Sequence, residues 1–286
     1  MSTLTIDKQL FSIAIIIASY NRREKTIQCL QNIFEQEGLN EAYCIEIFLV
    51  DDASTDGTSA AVAQLYPNVN IINGNGNLYW NRAMHKAWTA AKNYSNFDYY
   101  LWLNDDTEMS ADAITEMLAC AAIKANKAIV CGAVCSKQTH QFTYGGRTVD
   151  GREIIPDGTL QTCYTINGNC VLVSKLICDK AGVLDPVYPH AIGDYEYGLR
   201  ALKLGFEIVT TRKFIGFCEK NPRLAAWCYS EVPLMKRVKT LYSPLGSAHP
   251  YYFFRFERKY YGILTATKHF FSIHLRALIP GLWKQQ

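Results

Sequence analysis

Residues 45 to 58 read Ile-Glu-Ile-Phe-Leu-Val-Asp-Asp-Ala-Ser-Thr-Asp-Gly-Thr, a mostly apolar run that ends in carboxylates and turn residues. A short apolar run with a polar end is typical of a strand buried inside a parallel sheet. Asp56 and Gly57 favour a turn, and the helical pattern over 57–66 that follows is closed by Pro67. This stretch therefore predicts a strand, a polar turn and a helix.

The same order recurs along the first half of the chain. Further strands are predicted at 11–18, 69–72, 99–103 and 129–135, and further helices at 23–37, 81–94 and 111–126, the last with Ser110 as its N-cap. Strands that alternate with helices predict an α/β fold, in which a mostly parallel sheet carries helices on both faces. The Thr-, Gly- and Tyr-rich stretch over 136–173 is more typical of antiparallel strands. Beyond it we predict helices at 174–181 and 195–204 and a strand at 206–209.

Composition excludes several classes of protein. With 286 residues, 49% of them hydrophobic and 19% charged, the chain can bury a large core and is not a disordered protein. Its ten cysteines include no CxxC pair, so we predict free thiols and no zinc or disulfide framework. No apolar run approaches the roughly 20 residues that span a bilayer.

Charge divides the chain into two parts. Residues 1–211 hold 16 Lys and Arg against 23 Asp and Glu, whereas residues 212–286 hold 13 against 3. We predict a main domain over 1–211 and a basic, aromatic, mainly helical extension over 212–286. A basic end on an acidic body indicates contact with an anionic surface and no nucleic-acid partner.

Polar groups follow three of the predicted strands. The first strand ends in Ser19-Tyr20-Asn21-Arg22, the second in Asp51-Asp52, and the fourth in Asn104-Asp105-Asp106. Ligands of an open parallel sheet bind at the carboxyl ends of its strands. Adjacent carboxylates repel each other unless a cation compensates them, and oxygen ligands suit Mg²⁺ or Mn²⁺. Turn and N-cap chemistry is the alternative interpretation of each segment taken alone.

These three segments, in this order, resemble the family 2 glycosyltransferases of GT-A fold, and the resemblance covers residues 11 to about 210. It implies that Tyr20 and Asp51 contact the base and ribose of a nucleotide, and that Asp105 contacts ribose or sugar. It also implies that Asp106 binds Mn²⁺ or Mg²⁺ bridging the diphosphate. Asn104 stands where many members have a first Asp. On this basis residues 1–135 form the nucleotide-sugar half and 136–211 the acceptor half.

Residues 74–85 lie where the family carries a Gly- and Asn-rich loop that leads into a helix. Its turn residues lead into a helix whose first N–H groups favour phosphate, and Arg82 in the first turn could approach the nucleotide. Trp80 and Arg82 stand where the family has small residues. Isolated His85 is interpreted as a surface or core histidine.

An acidic segment resembles the part of the family that supplies the catalytic base. Aligned on Arg200, Asp194 takes the base position, Glu196 is the second acid, and Gly193 replaces a Glu. A base must accept the proton of the acceptor hydroxyl during inverting transfer. The alternative is that Asp194 caps the helix through residue 204. The segment with Gly168 and Asn169 resembles the family segment that borders the acceptor pocket. The alternative is that these residues only form a turn before a strand.

The predicted site is therefore as follows. The base is Asp194 and the metal ligand Asp106; nucleotide-sugar contacts are Ser19, Tyr20, Asn21, Arg22, Asp51, Ser54, Asn77, Arg82, Asn104 and Asp105; acceptor or supporting contacts are Gly168, Asn169, Glu196 and Arg200.

The extension has two interpretations. Apolar and aromatic residues recur at helical steps over 251–282, with basic residues between them, and Trp283-Lys284 follows. The helix either packs on the domain or docks on anionic lipid.

The resemblance predicts a metal-dependent inverting enzyme that transfers sugar from a UDP-sugar, or a dTDP-sugar, to a growing cell-surface glycan of O-antigen or capsule type. That acceptor is free or lipid-linked, and the enzyme lies in the cytoplasm, peripheral on the inner face of the membrane. The rival functions are a nucleotidyltransferase acting on sugar phosphates and a non-catalytic glycan-binding protein of the same fold.

Overall fold

The structure is a computed structural model that describes residues 11–39, 43–220, 225–246 and 248–282. The first half consists of β1 (Phe11–Ser19), α1 (Arg23–Phe34), β2 (Tyr43–Asp51), α2 (Thr58–Leu65), β3 (Asn70–Asn73), α3 (Tyr79–Tyr94), β4 (Tyr99–Asn104), β5 (Glu108–Met109), α4 (Ala113–Ile123), β6 (Ala128–Cys131), β7 (Val134–Cys135) and β8 (Phe142–Tyr144). The second half consists of β9 (Cys170–Ser174), α5 (Lys175–Ala181), α6 (Gly193–Lys203), β10 (Glu207–Thr210), β11 (Gly216–Phe217), α7 (Leu234–Leu241), α8 (Pro250–Tyr261) and α9 (Ile263–Leu278), with 3-10 turns at Ala226–Cys228 and Pro280–Leu282.

A seven-stranded sheet in the order β10-β6-β9-β4-β1-β2-β3 forms the centre. Only β9 among these strands runs antiparallel to its neighbours. The isoleucine run of β1 is fully buried because this strand lies between β4 and β2. The order along the chain reverses between β1 and β4, which is where ligands bind in open α/β sheets. The predicted α/β fold is confirmed.

Helices cover both faces of this sheet. On one face Ile13, Ile15 and Ile17 pack in a core with residues of α1 and α4, and on the other Ala14 and Ile16 share a core with α3 and α6. In the second core the rings of Trp88, Trp102 and Tyr197 lie 5.1–5.3 Å apart between centroids. These aromatic contacts hold α3 and α6 on the sheet, and both helices begin at the candidate site.

Two local predictions were wrong. The strand expected over 129–135 breaks at Gly132, where a Cβ atom would lie 2.5 Å from Cδ1 of Ile215. Its first part is β6 of the central sheet, while β7 belongs to a second sheet in the order β5-β11-β7-β8. Helix α4 begins at Ala113 with Asp112 as its N-cap, and not after Ser110.

The extension packs on the main domain. Phe256 of α8 lies in a cluster with Tyr188, Ile192 and Leu199, and α9 packs on α8. A further cluster joins Trp227 and Leu241 to Ile273 and Ala277 of α9. The division of the chain at residue 211 stays a prediction. Over the described ranges, no helix combines the length and the apolar character needed to cross a membrane.

Candidate active site

A cavity of about 630 Å³ lies at the carboxyl ends of β1 and β4. The sequence-predicted residues that line it are Ser19, Tyr20, Arg22, Asn104, Asp105, Asp106, Gly168, Asn169 and Asp194. Lining residues that were not predicted include Asp52, Tyr79, Trp80, His190, Tyr195 and Leu245. The cavity thus brings together the acid pair and the candidate base, which are far apart in the sequence.

The acid pair converges on one cationic side chain. Nη1 of Arg22 lies 2.9 Å from Oδ1 of Asp105 and 2.9 Å from Oδ2 of Asp106. Thr26 donates a weaker hydrogen bond of 3.3 Å to Asp105, and Nζ of Lys25 lies 3.9 Å from Asp106. Burial raises the pKa of Asp105 above its usual value, although the charge of Arg22 acts in the opposite direction.

This arrangement fits a divalent cation whose other ligands come from a ligand molecule. Two carboxylates already meet around one positive group, so a cation can be held at this point. Within the described residues, His, Cys, Asp and Glu side chains form no group of three that could hold a metal ion by themselves. Asp106, beside Asp105, would therefore bind the ion together with phosphate oxygens and water.

Asp52 fixes the Gly- and Asn-rich loop. Its Oδ1 accepts hydrogen bonds from the backbone N–H groups of Asn75 and Gly76, and its Oδ2 accepts from those of Leu78 and Tyr79. Sequence reasoning missed this role, although its position next to Asp51 after a buried strand was a signal. The loop is therefore held by the protein itself at the cavity wall.

The start of α3 does not offer the free N–H groups that we expected for phosphate. The N–H of Tyr79 is bonded to Asp52, that of Trp80 to Nδ1 of His190, and those of Asn81 and Arg82 to the carbonyl of Pro189. These bonds tie α3 to the loop before α6. Burial, together with the charge of Arg22, lowers the pKa of His190, so its imidazole is neutral at pH 7.

Trp80 forms part of the cavity wall between two predicted residues. Its indole Nε1 donates a hydrogen bond of 2.7 Å to Oδ1 of Asn104. Its ring also packs on Gly168, where any Cβ atom would collide with the indole. Trp80, Asn104 and Gly168 thus form one interlocked group.

Asp194 lies in the first turn of α6 and is buried. Its Oδ2 accepts a 3.0 Å hydrogen bond from the backbone N–H of Gly168, and its Oδ1 accepts from the N–H of Tyr195. Burial raises the pKa of Asp194 to about 6, while these hydrogen bonds act against the rise. The N-cap of α6 is Ile192, so the carboxylate does not serve as the N-cap.

Steric crowding explains why position 193 is a glycine. A Cβ atom at this position would collide with the side-chain amide of Asn81. Asn81 is fully buried and donates hydrogen bonds of 2.8 and 2.7 Å to the carbonyls of Asp185 and Tyr188. Asn81 therefore occupies the space that a larger residue at position 193 would need, and it holds the loop that precedes the base.

Asn21, Asp51 and Ser54 join two loops at the rim, although they do not line the cavity. The carboxylate of Asp51 accepts from the N–H of Ser54 and from the hydroxyl of Ser59. The N–H of Asn21 donates to the Ser54 hydroxyl, and its side chain accepts from the N–H of Thr55. The contacts of Asp51 with a ribose stay a prediction.

Four other predicted residues lie outside the cavity: Asn77, Arg82, Glu196 and Arg200. Arg82 donates to the carbonyls of Pro186 and Val187, at 2.9 and 3.3 Å, and Asn77 bonds to the carbonyl of Asn75. Both side chains are thus bonded to the protein itself, and their approach to the nucleotide stays a prediction.

Glu196 and Arg200 join α6 to the extension and do not border the cavity. Glu196 is fully buried, and its carboxylate lies 2.9 Å from Arg200, 2.7 Å from Nζ of Lys259 and 2.8 Å from the hydroxyl of Tyr260. Burial opposes its ionisation, but Arg200, Lys259 and Tyr260 together lower the pKa of Glu196 below its usual value. The helical periodicity did signal this, because position 196 lies on a different side of α6 from position 194.

Comparison with known proteins agrees with the fold. The family model "Glycosyl transferase family 2" matches residues 14–179, which is more than half of the chain. The chain belongs to glycosyltransferase family 2 and is a sugar-transferring enzyme. No curated protein sequence matches it significantly.

Solved structures share the fold at low sequence identity. The mannosyltransferase PcManGT from Pyrobaculum calidifontis, in complex with GDP-Man and Mn²⁺, is 14% identical with a TM-score of 0.55, over 95% of this chain and 81% of that one. S. aureus TarS 1–349 in complex with UDP-GlcNAc is 14% identical with a TM-score of 0.56, over 93% and 81%. GalNAc-T7 with UDP, GalNAc and Mn²⁺ is 13% identical with a TM-score of 0.56, over 93% and 55%. The predicted GT-A architecture is confirmed.

Proposed function

We propose that this enzyme transfers a sugar, with inversion, from a nucleotide-diphosphate donor to a hydroxyl group of a cell-surface glycan. The observation that carries the proposal is that the Asp105–Asp106 pair and Asp194 line one cavity. Such a cavity can hold the diphosphate and the acceptor hydroxyl on either side of the anomeric carbon. A UDP-sugar is favoured as donor and a dTDP-sugar is the next choice.

The donor end of the cavity has groups suited to a nucleotide diphosphate. Tyr20 is exposed at the rim, where its ring can stack on a base, and Asp105 can accept from ribose or sugar hydroxyls. Asp106 would hold Mn²⁺ or Mg²⁺, which when bound offsets the negative charge on the leaving diphosphate. PcManGT and GalNAc-T7 were solved with Mn²⁺, which supports this assignment.

Asp194 is proposed as the base. A carboxylate with a pKa of about 6 is ionised at pH 7 and yet more basic than an ordinary Asp. It can therefore accept the proton of the acceptor hydroxyl as that oxygen attacks the anomeric carbon, while the bond to the diphosphate breaks. The N–H of Gly168 orients the carboxylate, and Asn169 also lines the cavity.

The acceptor is proposed to be a growing glycan of O-antigen or capsule type, linked to a lipid, with the enzyme in the cytoplasm at the inner face of the membrane. Support comes from α9, whose Ala266, Ile273 and Ala277 are buried while Leu264, Phe271, Leu275 and Leu278 are exposed at helical spacing. Leu264 is 84% and Phe271 66% exposed.

Basic residues accompany this apolar stripe. Lys268 lies within it, and Arg255 and Arg258 are exposed on α8. An apolar stripe with basic residues fits an anionic bilayer surface. Packing of α8 on the domain and docking of α9 on lipid are compatible, because they use different helices. Trp283 and Lys284 lie outside the described residues.

The test is an incubation of the protein with UDP-, dTDP- and GDP-sugars, with Mn²⁺ or with EDTA, in which release of nucleoside diphosphate and free sugar is measured. We expect Mn²⁺-dependent release that Asp194→Asn strongly reduces. Pyrophosphate release from a nucleoside triphosphate and a sugar phosphate would instead identify a nucleotidyltransferase. Donor binding with no turnover in the presence of lipid-linked glycan acceptors would indicate a non-catalytic glycan-binding protein.

A further inference from the structure

We propose that Arg22 is an exchangeable counter-cation. Its guanidinium neutralises the acid pair in the donor-free protein, and when the donor binds, the guanidinium leaves the pair and a divalent cation takes its place. This inference rests on the proposed function, because it assumes that Asp106, beside Asp105, holds the cation of a nucleotide-diphosphate donor. The basis is the position of Nη1, which lies 2.9 Å from both carboxylates at once. A divalent cation bound between the same oxygens would occupy the position of Nη1, so the two cannot be there together.

The acid pair requires a positive neighbour at all times. Asp105 is buried, and apart from Arg22 its carboxylate is held by small hydroxyl groups such as that of Thr26. Two adjacent ionised carboxylates at the end of a buried strand repel each other unless a cation lies between them. Loss of Arg22 without a substitute would therefore leave a buried charge without compensation.

The side chain of Arg22 can move while its backbone stays in place. The carbonyl of Arg22 accepts hydrogen bonds from the N–H and the hydroxyl of Thr26 at the start of α1, at 2.9 and 3.0 Å. Its side chain is nevertheless 47% exposed and lines the cavity. A fixed backbone with a long, half-exposed side chain suits exchange between two partners.

Phosphate oxygens of the donor are the second partner. A guanidinium presents planar donors that match carboxylate and phosphate oxygens equally well. When a divalent cation arrives with the diphosphate, Arg22 can leave the carboxylates and bind the phosphates in the same cavity. Binding of cation and of nucleotide would then be coupled, each strengthening the other by the same factor.

Mn²⁺ binding tests this directly, with free Mn²⁺ measured by electron paramagnetic resonance in the presence and absence of UDP. Four proteins are compared: the unmodified protein, Arg22→Gln, Arg22→Lys and Arg23→Gln. Arg23 is the matched control, because it carries the same charge one residue along but contacts Glu24 and not the acid pair.

Without UDP we expect Arg22→Gln to bind Mn²⁺ about tenfold more tightly than the unmodified protein, a coupling of ordinary size. Arg23→Gln should stay within about twofold, and Arg22→Lys should bind weakly like the unmodified protein, because it keeps the charge. With UDP the advantage of Arg22→Gln should vanish, since Arg22 then contributes to the bound diphosphate. In addition, Arg22→Gln should melt at a lower temperature than the unmodified protein without metal, and Mn²⁺ should remove this difference.

Equal Mn²⁺ affinities of Arg22→Gln and the unmodified protein would overturn the proposal, as would equal increases for Arg22→Gln and Arg23→Gln. Absence of Mn²⁺ binding in all four proteins, with and without UDP, would overturn it too. Donor turnover by the unmodified protein in the same buffer separates the two levels. Turnover with unshifted Mn²⁺ affinities refutes only the role of Arg22. Shifted affinities without turnover of any nucleotide-sugar refute the proposed donor and reaction and leave the exchange standing.

Discussion

Trp80 donates its indole N–H to the side-chain oxygen of Asn104, at 2.7 Å. By the resemblance described above, Trp80 stands where the family has a small residue and Asn104 where many members have Asp, and the hydrogen bond links the two positions. An amide at position 104 accepts the indole proton without adding a third negative charge beside Asp105 and Asp106. The indole in turn fills the space above Gly168.

We expect Trp80→Phe and Asn104→Ala each to lower the free energy of unfolding by about 1–3 kcal/mol, since each leaves a polar partner unpaired. The double variant should lose clearly less than the sum of the two, as measured by urea unfolding. Trp88→Phe is the matched control, because no described residue forms a hydrogen bond with the indole N–H of Trp88. The losses in free energy of unfolding caused by Trp88→Phe and Asn104→Ala should simply add. If the losses caused by Trp80→Phe and Asn104→Ala also add, the two residues are not coupled.

Gly168→Ala should weaken donor binding and lower the free energy of unfolding by about 1–3 kcal/mol, because the new methyl group meets the indole of Trp80. Trp80→Phe should relieve much of that loss, since the smaller ring leaves room. Calorimetry with a nucleotide-sugar and thermal melting measure the two effects. If Trp80→Phe worsens Gly168→Ala, the steric account is wrong.

Asp194→Asn should reduce turnover by roughly two to four decades with little change in donor affinity, as expected for a general base. In the unmodified protein, turnover should fall as the pH drops through about 6, because protonation removes the base. The measurement is the pH profile of kcat at saturating donor. A variant with near-normal turnover would leave Asp194 with only a structural role.

The same substitution should stabilise the fold at neutral pH. Because the pKa of Asp194 is raised, its ionised form is disfavoured by folding, and stability is lost as the pH rises from about 4 through about 6. A shift of about two pH units corresponds to roughly 3 kcal/mol at most. Asp194→Asn should therefore melt at a higher temperature than the unmodified protein at pH 7.5, and the gap should close at pH 4. A constant gap would contradict the raised pKa.

Asp106→Asn should abolish Mn²⁺-dependent binding of UDP while leaving the fold intact, because this side chain is 22% exposed and lies outside the core. Calorimetry with and without Mn²⁺ measures the change. Asp157→Asn removes the same charge from an exposed loop and serves as the control. Unchanged Mn²⁺-dependent affinity in Asp106→Asn would remove Asp106 from the metal site.

Phe271→Ser combined with Leu275→Ser should reduce sedimentation with anionic liposomes severalfold, since it removes apolar area from the exposed stripe of α9. Binding by the unmodified protein should weaken as salt rises, because each basic residue contributes about 1 kcal/mol near an anionic surface. Leu65→Ser combined with Ile123→Ser changes two exposed apolar residues elsewhere and should bind normally. Equal sedimentation of both double variants, or indifference to lipid charge, would contradict a role of the stripe.

Sequence patterns predicted the central sheet and the strand ends well, because an isoleucine run and terminal carboxylates are local signals. They could not predict contacts that the fold creates between distant segments. Nothing local shows that the carboxylate of Asp52 would occupy the N–H groups before α3, or that Asn81 would exclude a side chain at position 193. The partners of Arg82 could not be predicted for the same reason, since they are carbonyls about a hundred residues away.

The buried carboxylate of Glu196 makes the position of α6 depend on that of α8. It lies two residues from the proposed base, on a different side of α6, and is paired with Lys259 and Tyr260, residues that belong to the extension. A polypeptide ending near residue 211 would leave this charge half-paired and would also uncover the cluster around Tyr188 that Phe256 closes. We therefore expect an ordered base to depend on the chain at least as far as Tyr260, which lies well beyond the change in charge at residue 211.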